Sequence, residues 1–435
     1  MIDLGELPAR GREEAATVPA PRRPVSARTL LGTLAVLLIA MTAGAVHRGP
    51  LPPPTVIDAR LGDTMLVGAD RLFVVAAEPE RLASAVQTKT VSEYGLPDGD
   101  LISRTTVAVS GTVIDVTSAD GIVLVSYQVD AVGAETTVAV AAGGDRALWR
   151  RPSRLVATSP RDGLVLLREN SPPLGGIDWS GVDLATGAVR WSLRQPVRGF
   201  TTPADFADGF PRRLVSATDT GRVEVRETAT GTVTATATVP VRSQQPGADV
   251  PVWPTGDLVL VGAPDGTTAY ALPGLTERWH SPVDLAGRWI QDDCAAICSL
   301  SWQGGLRMLD RATGRELWSD ERWNYVAQIG EYLMASENAG PGRSPGVAVL
   351  DPGSGRVRGG FGGWQPIGDR RPDGTVHGLY EEPADDTVRY ARLDPGTLAV
   401  RVLGSADRVA GDCRATADVL VCRRIDATVG IWRLK

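Results

Sequence analysis

Apolar residues in this chain fall into short runs broken by Gly, Asp and Pro, and almost never into the long three-to-four spacing of an amphipathic helix. Gly121-Ile-Val-Leu-Val-Ser, Leu258-Val-Leu-Val-Gly and Val419-Leu-Val-Cys each begin just after a turn of Asp, Gly or Ala. Runs of this kind predict β-strands, and their density predicts an all-β chain. The one long helical signal is the uncharged run from Thr29 to Val46.

A phrase recurs among these strands: an apolar strand, an acidic turn, Thr-Gly, and a strand carrying Trp. The clearest copies are Val-Asp183-Leu-Ala-Thr-Gly187-Ala-Val-Arg-Trp191 and Leu-Asp310-Arg-Ala-Thr-Gly314-Arg-Glu-Leu-Trp318. Fainter copies are Glu227-Thr-Ala-Thr-Gly231, Leu-Pro-Gly274-Leu-Thr-Glu-Arg-Trp279, Leu-Asp351-Pro-Gly-Ser-Gly355 and Leu-Asp394-Pro-Gly396-Thr. From Trp149 the spacing runs through Trp191, Ala235, Trp279 and Trp318 to the expected equivalents Gly359 and Val400. A period of about forty residues marks a propeller or solenoid. The turn acids accept backbone hydrogen bonds, Gly supplies a positive φ, and Trp191, Trp279 and Trp318 fill the seams between repeats.

Each unit reads as four strands. Units fall at 64–109, 110–154, 155–198, 199–242, 249–284, 285–322, 323–364 and 365–404, with a three-stranded remnant at 405–434. Thr55-Val-Ile-Asp-Ala-Arg-Leu61 can supply the missing strand and close the ring between the chain ends, which removes exposed sheet edges. Counted literally this gives nine units, beyond the usual four to eight blades. The expectation is therefore a single propeller over 55–435 with eight four-stranded blades, seven being the alternative. The first unit is the suspect one, because Tyr94-Gly-Leu-Pro-Asp-Gly99 echoes the turn only loosely.

The phrase resembles the repeat of the PQQ-type, or quinoprotein-like, β-propellers, a WD40/YVTN-like architecture. The likeness spans roughly 64–434 and is strongest from 155 to 355. It implies fold first, since the family holds both quinone-dependent dehydrogenases and members without a cofactor. In the dehydrogenases it further implies adjacent cysteines under the quinone, a Ca²⁺ held by carboxylates and amides, and an Asp base. This chain has no adjacent Cys pair. Its acidic pairs, Asp292-Asp293 and Asp385-Asp386, read as solvated turns, and His47, His280 and His377 are scattered. Gly143-Gly-Asp and Gly359-Gly-Phe-Gly-Gly363 precede no helix, so neither reads as a phosphate cradle. No catalytic, cofactor or metal residues are nominated, and the expected type is a non-catalytic, membrane-anchored member of actinobacterial kind.

The first residues differ in character. Residues 1–28 are rich in Pro, Ala, Arg and Glu and predict a disordered cytoplasmic tail. The run 29–46 is long enough to span a bilayer as a helix, and 47–54 is a Pro-rich spacer. Arg10, Arg12, Arg22, Arg23 and Arg28 precede the run and only Arg48 follows it closely, which predicts a single-pass plasma-membrane anchor with an extracytoplasmic propeller. A cleaved signal peptide is the competing reading, because Ala43-Gly-Ala45 resembles a cleavage site.

Charge and cysteine content narrow the partners. The formal charge is −6, which argues against nucleic acid; the forty-five basic residues include only two lysines, Lys89 and Lys435, a bias fitting a GC-rich genome. Cys294 with Cys298 and Cys413 with Cys422 each bracket a strand-turn-strand, and their spacing predicts those two disulfides. Zinc is the alternative, though neither pair has the Cys-x-x-Cys spacing. The expected function is a non-catalytic binding or scaffold module for a protein or cell-envelope ligand, with no cofactor. A quinone-dependent dehydrogenase is the alternative.

Overall fold

A computed structural model describes residues 53–76, 86–129, 133–171, 176–195, 199–241, 251–292, 294–337, 346–382 and 386–434. They build nine antiparallel four-stranded sheets. Sheets one to eight span 64–109, 112–151, 154–194, 199–238, 252–281, 288–320, 323–360 and 365–407, and in each the strands lie side by side in chain order. The ninth takes three strands from 409–433 and its outermost from Thr55–Ile57. That strand pairs Thr55 with Ile431, Val56 with Gly430 and Ile57 with Val429.

First strands of neighbouring sheets touch one another, so they line the axis, and the fourth strands lie outermost. The burial pattern follows from that placement. In the fifth blade Leu258–Ala263 and Gly266–Ala271 are buried at every position, because both faces of a central strand meet a neighbouring blade. On the outer Val189–Arg194 strand only alternate residues are partly covered. Buried apolar residues collect into nine clusters, one per seam. One joins blades 1 and 2 through Val91 and Val123; another joins blades 9 and 1 through Ile57, Leu72, Val421 and Ile431. A seam between the last and first blades closes the ring, and the molecule is a nine-bladed β-propeller.

Nine blades correct the expected eight and the alternative seven. The doubtful first unit is a full blade with strands at Thr64–Val67, Arg71–Val75, Gln87–Gly95 and Asp100–Val109. Its turn lacks the Asp and Thr but keeps the backbone path: Gly99 N donates to Gly95 O at 2.7 Å, as Gly187 N does to Asp183 O at 2.8 Å. A bulge follows the turn in blade 1, at Ile102 opposite Glu93 and Tyr94, as it does in blade 3, at Arg190 opposite Gly181 and Val182. In blade 8 the bulge lies farther from the turn, between Tyr390 and Ala391. The expected equivalent Val400 therefore pairs with Leu393, and Val402 stands at the Trp distance from the turn.

The membrane expectation is also corrected. Apolar runs of the described chain are spent as buried strands; a 3₁₀ turn at Pro160–Asp162 is the one helical element among them. Among the described residues no helix is long and apolar enough to cross a membrane. The run 29–46 and the tail 1–28 lie outside the described residues. The described fold is accordingly all-β, with no transmembrane helix among the described residues, and the single-pass, extracytoplasmic placement that rested on such a helix is not carried further.

Candidate functional site

The repeated residues sit in the turns and seams. Trp149 of blade 2 lies against Gly187 of blade 3, Trp191 against Gly231, Trp279 against Gly314, and Trp318 against Gly355. A methyl built on any of these glycines would come within 2.4–2.6 Å of the facing indole. Indole N–H groups then reach the next blade: Trp149 donates to Leu184 O at 2.8 Å, Trp279 to Arg311 O at 2.9 Å and Trp318 to Pro352 O at 2.7 Å. Trp191 differs; its ring lies over Gly181 and its N–H finds no acceptor among the described residues.

The turn acids bind their own turns. Asp183 Oδ1 accepts from Thr186 N and Thr186 Oγ1, both at 2.9 Å. Asp310 accepts from Thr313 N at 2.8 Å and Oγ1 at 2.6 Å; Asp351 does the same with Ser354 at 2.9 and 2.6 Å. Asp394 accepts from Gly396 N at 2.8 Å and Thr397 Oγ1 at 2.6 Å. Hydrogen bonds from Arg190 and then Thr186 hold the Asp183 carboxyl down to about 2. Thr313, Ser354 and Thr397 likewise lower Asp310, Asp351 and Asp394 from 3.8.

A depressed carboxyl stabilises the fold fully above its unfolded value and loses that contribution as pH falls through the folded one. Stability measured by urea unfolding is therefore expected to decline from about pH 4 towards pH 2. An Asp183→Asn/Asp310→Asn variant is expected to show a shallower decline. An unchanged slope in the variant counts against these turns as the source.

Both expected disulfides are present. Cys294–Cys298 ties the turn after the axial strand of blade 6 to its second strand, and Cys413–Cys422 ties the axial strand of blade 9 to its second strand. Ala295 N, inside the first loop, donates to Gln328 Oε1 of blade 7 at 2.6 Å. Among the described residues no group of three or more His, Cys, Asp or Glu is placed to hold a metal ion. His280 pairs with Thr268 and Asp265 on blade 5. His377 is buried in blade 8 beside Arg371 and Ala417 O, and burial lowers its pKa. Asp293 and Asp385, half of each acidic pair, lie outside the described residues.

The structure adds a site that the repeat does not announce. Blade 4 opens with the long hairpin Gly199–Ala207 and Phe210–Thr218, turned by Asp208 (φ 52°) and Gly209 (φ 78°). Two residues at positive φ suit the right-handed twist of a tight hairpin. Arg213 pairs with Asp205 near its end, where Phe206 is exposed. The tip borders a cavity of about 490 Å³ at the axial mouth, with Met65–Gly68 of blade 1, Asp115–Thr117 of blade 2, Leu155–Thr158 of blade 3 and Arg414 of blade 9.

Two charges face this space. Asp115 borders the cavity, and burial pushes its carboxyl upward against the backbone of Val116 and the charge of Arg154. Arg154 lies 3.7 Å from Glu135. Arg414 is exposed and donates to Cys413 O at 3.0 Å, on the strand fixed by the Cys413–Cys422 bridge. An acid and a guanidinium bordering one cavity suit recognition of a partner that carries both charges.

No family model matches the chain, and no curated protein matches it. Among solved structures it is similar to BamB from Moraxella catarrhalis, at 16% identity over 89% of this chain and 98% of that one, with TM-score 0.40. It is similar to the computationally designed Ika8 protein at 15% identity, covering 74% and 96%, with TM-score 0.42. The C-terminal WD40 domain of Sif2 shares 12% identity over 89% and 100%, with TM-score 0.42. The propeller assignment rests on the nine sheets and their closed ring of seams.

Proposed function

We propose that this chain is a non-catalytic binding or scaffold module of the quinoprotein-like propeller kind, and that it takes a protein segment at the axial mouth. The observation that carries this reading is the Asp208-Gly209 hairpin tip bordering a cavity shared with blades 9, 1, 2 and 3. A propeller used only as packing has no need of an extended hairpin at its axis. The repeat residues support the same reading, since Asp183, Gly187, Trp191, Trp279, Asp310, Gly314, Trp318, Asp351, Gly355 and Asp394 are occupied with turns and seams. Partner recognition then falls to residues outside the repeat, chiefly Asp115, Asp208 and Arg414.

The test is site-specific photo-crosslinking in cells of origin. A crosslinker at Asp208 or Arg414 is expected to trap a discrete partner band, weakened by Arg414→Glu when the probe stands at Asp208. The same probe at Thr236, exposed on the outer strand of blade 4, is expected to trap none. Equal trapping at Thr236, or none at the mouth, would overturn the reading.

A further inference from the structure

Lys89 is one of two lysines in the chain, and the other is its last residue. It stands on the third strand of blade 1, where Gln87, Lys89, Val91 and Glu93 share the face towards blade 2. Val91 belongs to the blade 1–2 core, and Glu93 accepts from Ser118 Oγ of blade 2 at 2.7 Å. Glu93 also takes Arg71 Nε at 3.2 Å and Ser103 Oγ at 2.9 Å. It lies four residues along the strand from Lys89, roughly 13 Å, too far to neutralise the ammonium. Among the described residues Lys89 has no carboxylate partner.

Its half-buried side chain borders a second cavity, of about 420 Å³. Thr64, Gln87, Ser110 and Thr112 bring hydroxyl and amide groups to the same space, and among the described residues no carboxylate lines it. The link at Gly111 passes so close to blade 2's second strand that a methyl there would fall 1.8 Å from Gln128 O. The cavity lies at the opposite end of the axial strands from the mouth. Thr64 and Thr112 begin strands whose later residues, Met65–Val67 and Asp115–Thr117, line the other site.

We infer that the Lys89 cavity is a binding site for a small oxyanion, a phosphate or carboxylate compound held by the ammonium and the surrounding hydroxyls. A lysine supplies a compact positive charge with three donors, and hydroxyl groups add donors without adding competing charge. The cavity volume falls within the range of small-ligand pockets. An unpaired cation held half-buried costs desolvation, and an anion offsets it.

The full-length protein is titrated calorimetrically with inorganic phosphate and, separately, with succinate, at constant ionic strength. One or both anions are expected to bind, and which one distinguishes the phosphate from the carboxylate class. Lys89→Met is expected to weaken binding by about tenfold or more, and Lys89→Arg, which keeps the charge, by much less. Thr112→Val, at an exposed position, is expected to weaken it several-fold with an unchanged near-UV spectrum. Absence of binding by both anions, or equal loss in the Met and Arg variants, overturns the inference, as does binding that survives Lys89→Met. Because the mouth residues are untouched, failure here is separable from failure of the axial-mouth reading.

Discussion

Gly314→Ala is expected to destabilise the ring by about 2–5 kcal/mol. Gly314 sits at φ 69°, where an L side chain meets its own carbonyl, and that alone costs roughly 1–2 kcal/mol. The new methyl would also fall 2.4 Å from Trp279 Cε3 and 2.5 Å from Cζ3. The indole cannot retreat cheaply, because it is buried and anchored by its N–H to Arg311 O at 2.9 Å. Overpacking of this kind adds roughly 1–3 kcal/mol. Gly143→Ala separates the two contributions: Gly143 has φ 75° but nothing within 4 Å of an added methyl. Its variant is expected to lose only the backbone part, about 1–2 kcal/mol. Urea midpoints of the two variants decide the matter, and equal losses would show that the seam contributes nothing.

The seams carry a second regularity. In two seams the Trp and the facing turn glycine are missing together. Blade 4 has Ala235 at the Trp position, and blade 5 answers with Leu275 at the glycine position, φ 56°, packed in the same cluster. Blade 7 has Gly359, and blade 8 answers with Leu398 at φ 59°, whose Cδ1 lies 2.6 Å from where a Gly359 methyl would stand. The volume that one blade gives up is supplied by the next, at the cost of a strained backbone for Leu. Trp279→Ala and Gly314→Leu should therefore couple, the double variant being less destabilised than the sum of the singles.

This exchange explains how far the sequence could be read. The unit boundaries follow the strand pattern closely, because short apolar runs between Gly and Asp turns have few other uses. The turn phrase is plain only where Trp and Gly both remain. In blades 5 and 8 the Leu at the glycine position hides the turn, and in blade 1 Gly95 stands for the Asp and Asp98 for the Thr, with Gly99 alone retained. Nine units were countable from spacing, and the customary size of propellers argued one of them away. What keeps blade 1 equivalent is backbone geometry, the turn closure and the bulge at Ile102, which many side chains satisfy.

The axial mouth was illegible for a different reason. Asp208-Gly209 is a recognisable hairpin turn, but its place beside Gly68, Thr117 and Arg414 depends on the ring bringing blades 9, 1, 2, 3 and 4 together. Asp115 looks like any solvated strand acid until the ring places it beside that cavity. Lys89 was visible as a rarity of composition, whereas the cavity beside it arises only from the join between two blades.

Loss of the Thr55–Ile57 strand is expected to be the most damaging change to the ring, worth several kcal/mol and accompanied by self-association. Three residues from the N-terminal end form the outer strand of the ninth blade, paired with Val429, Gly430 and Ile431. Ile57 is only 4% exposed and packs with Leu72, Val421, Val429 and Ile431 across the seam between blades 9 and 1. Emptying an isoleucine site of this kind costs about 2–5 kcal/mol by itself. Truncation up to Asp58 also bares the backbone edge of Val429–Arg433, which carries Ile431 and Trp432. Arg423 still reaches Arg60 O and Asp63 O at 3.5 and 2.5 Å, so the following residues keep a foothold on blade 9. The bared edge is then the main defect, and an unpaired edge recruits another strand. Light scattering on the truncated chain should show concentration-dependent association, with a lowered thermal midpoint. A peptide covering residues 53–59, added in excess, should restore both by occupying the edge in trans. A truncated chain that stays monomeric at the original midpoint would mean that the seams, and not the shared blade, hold the circle closed.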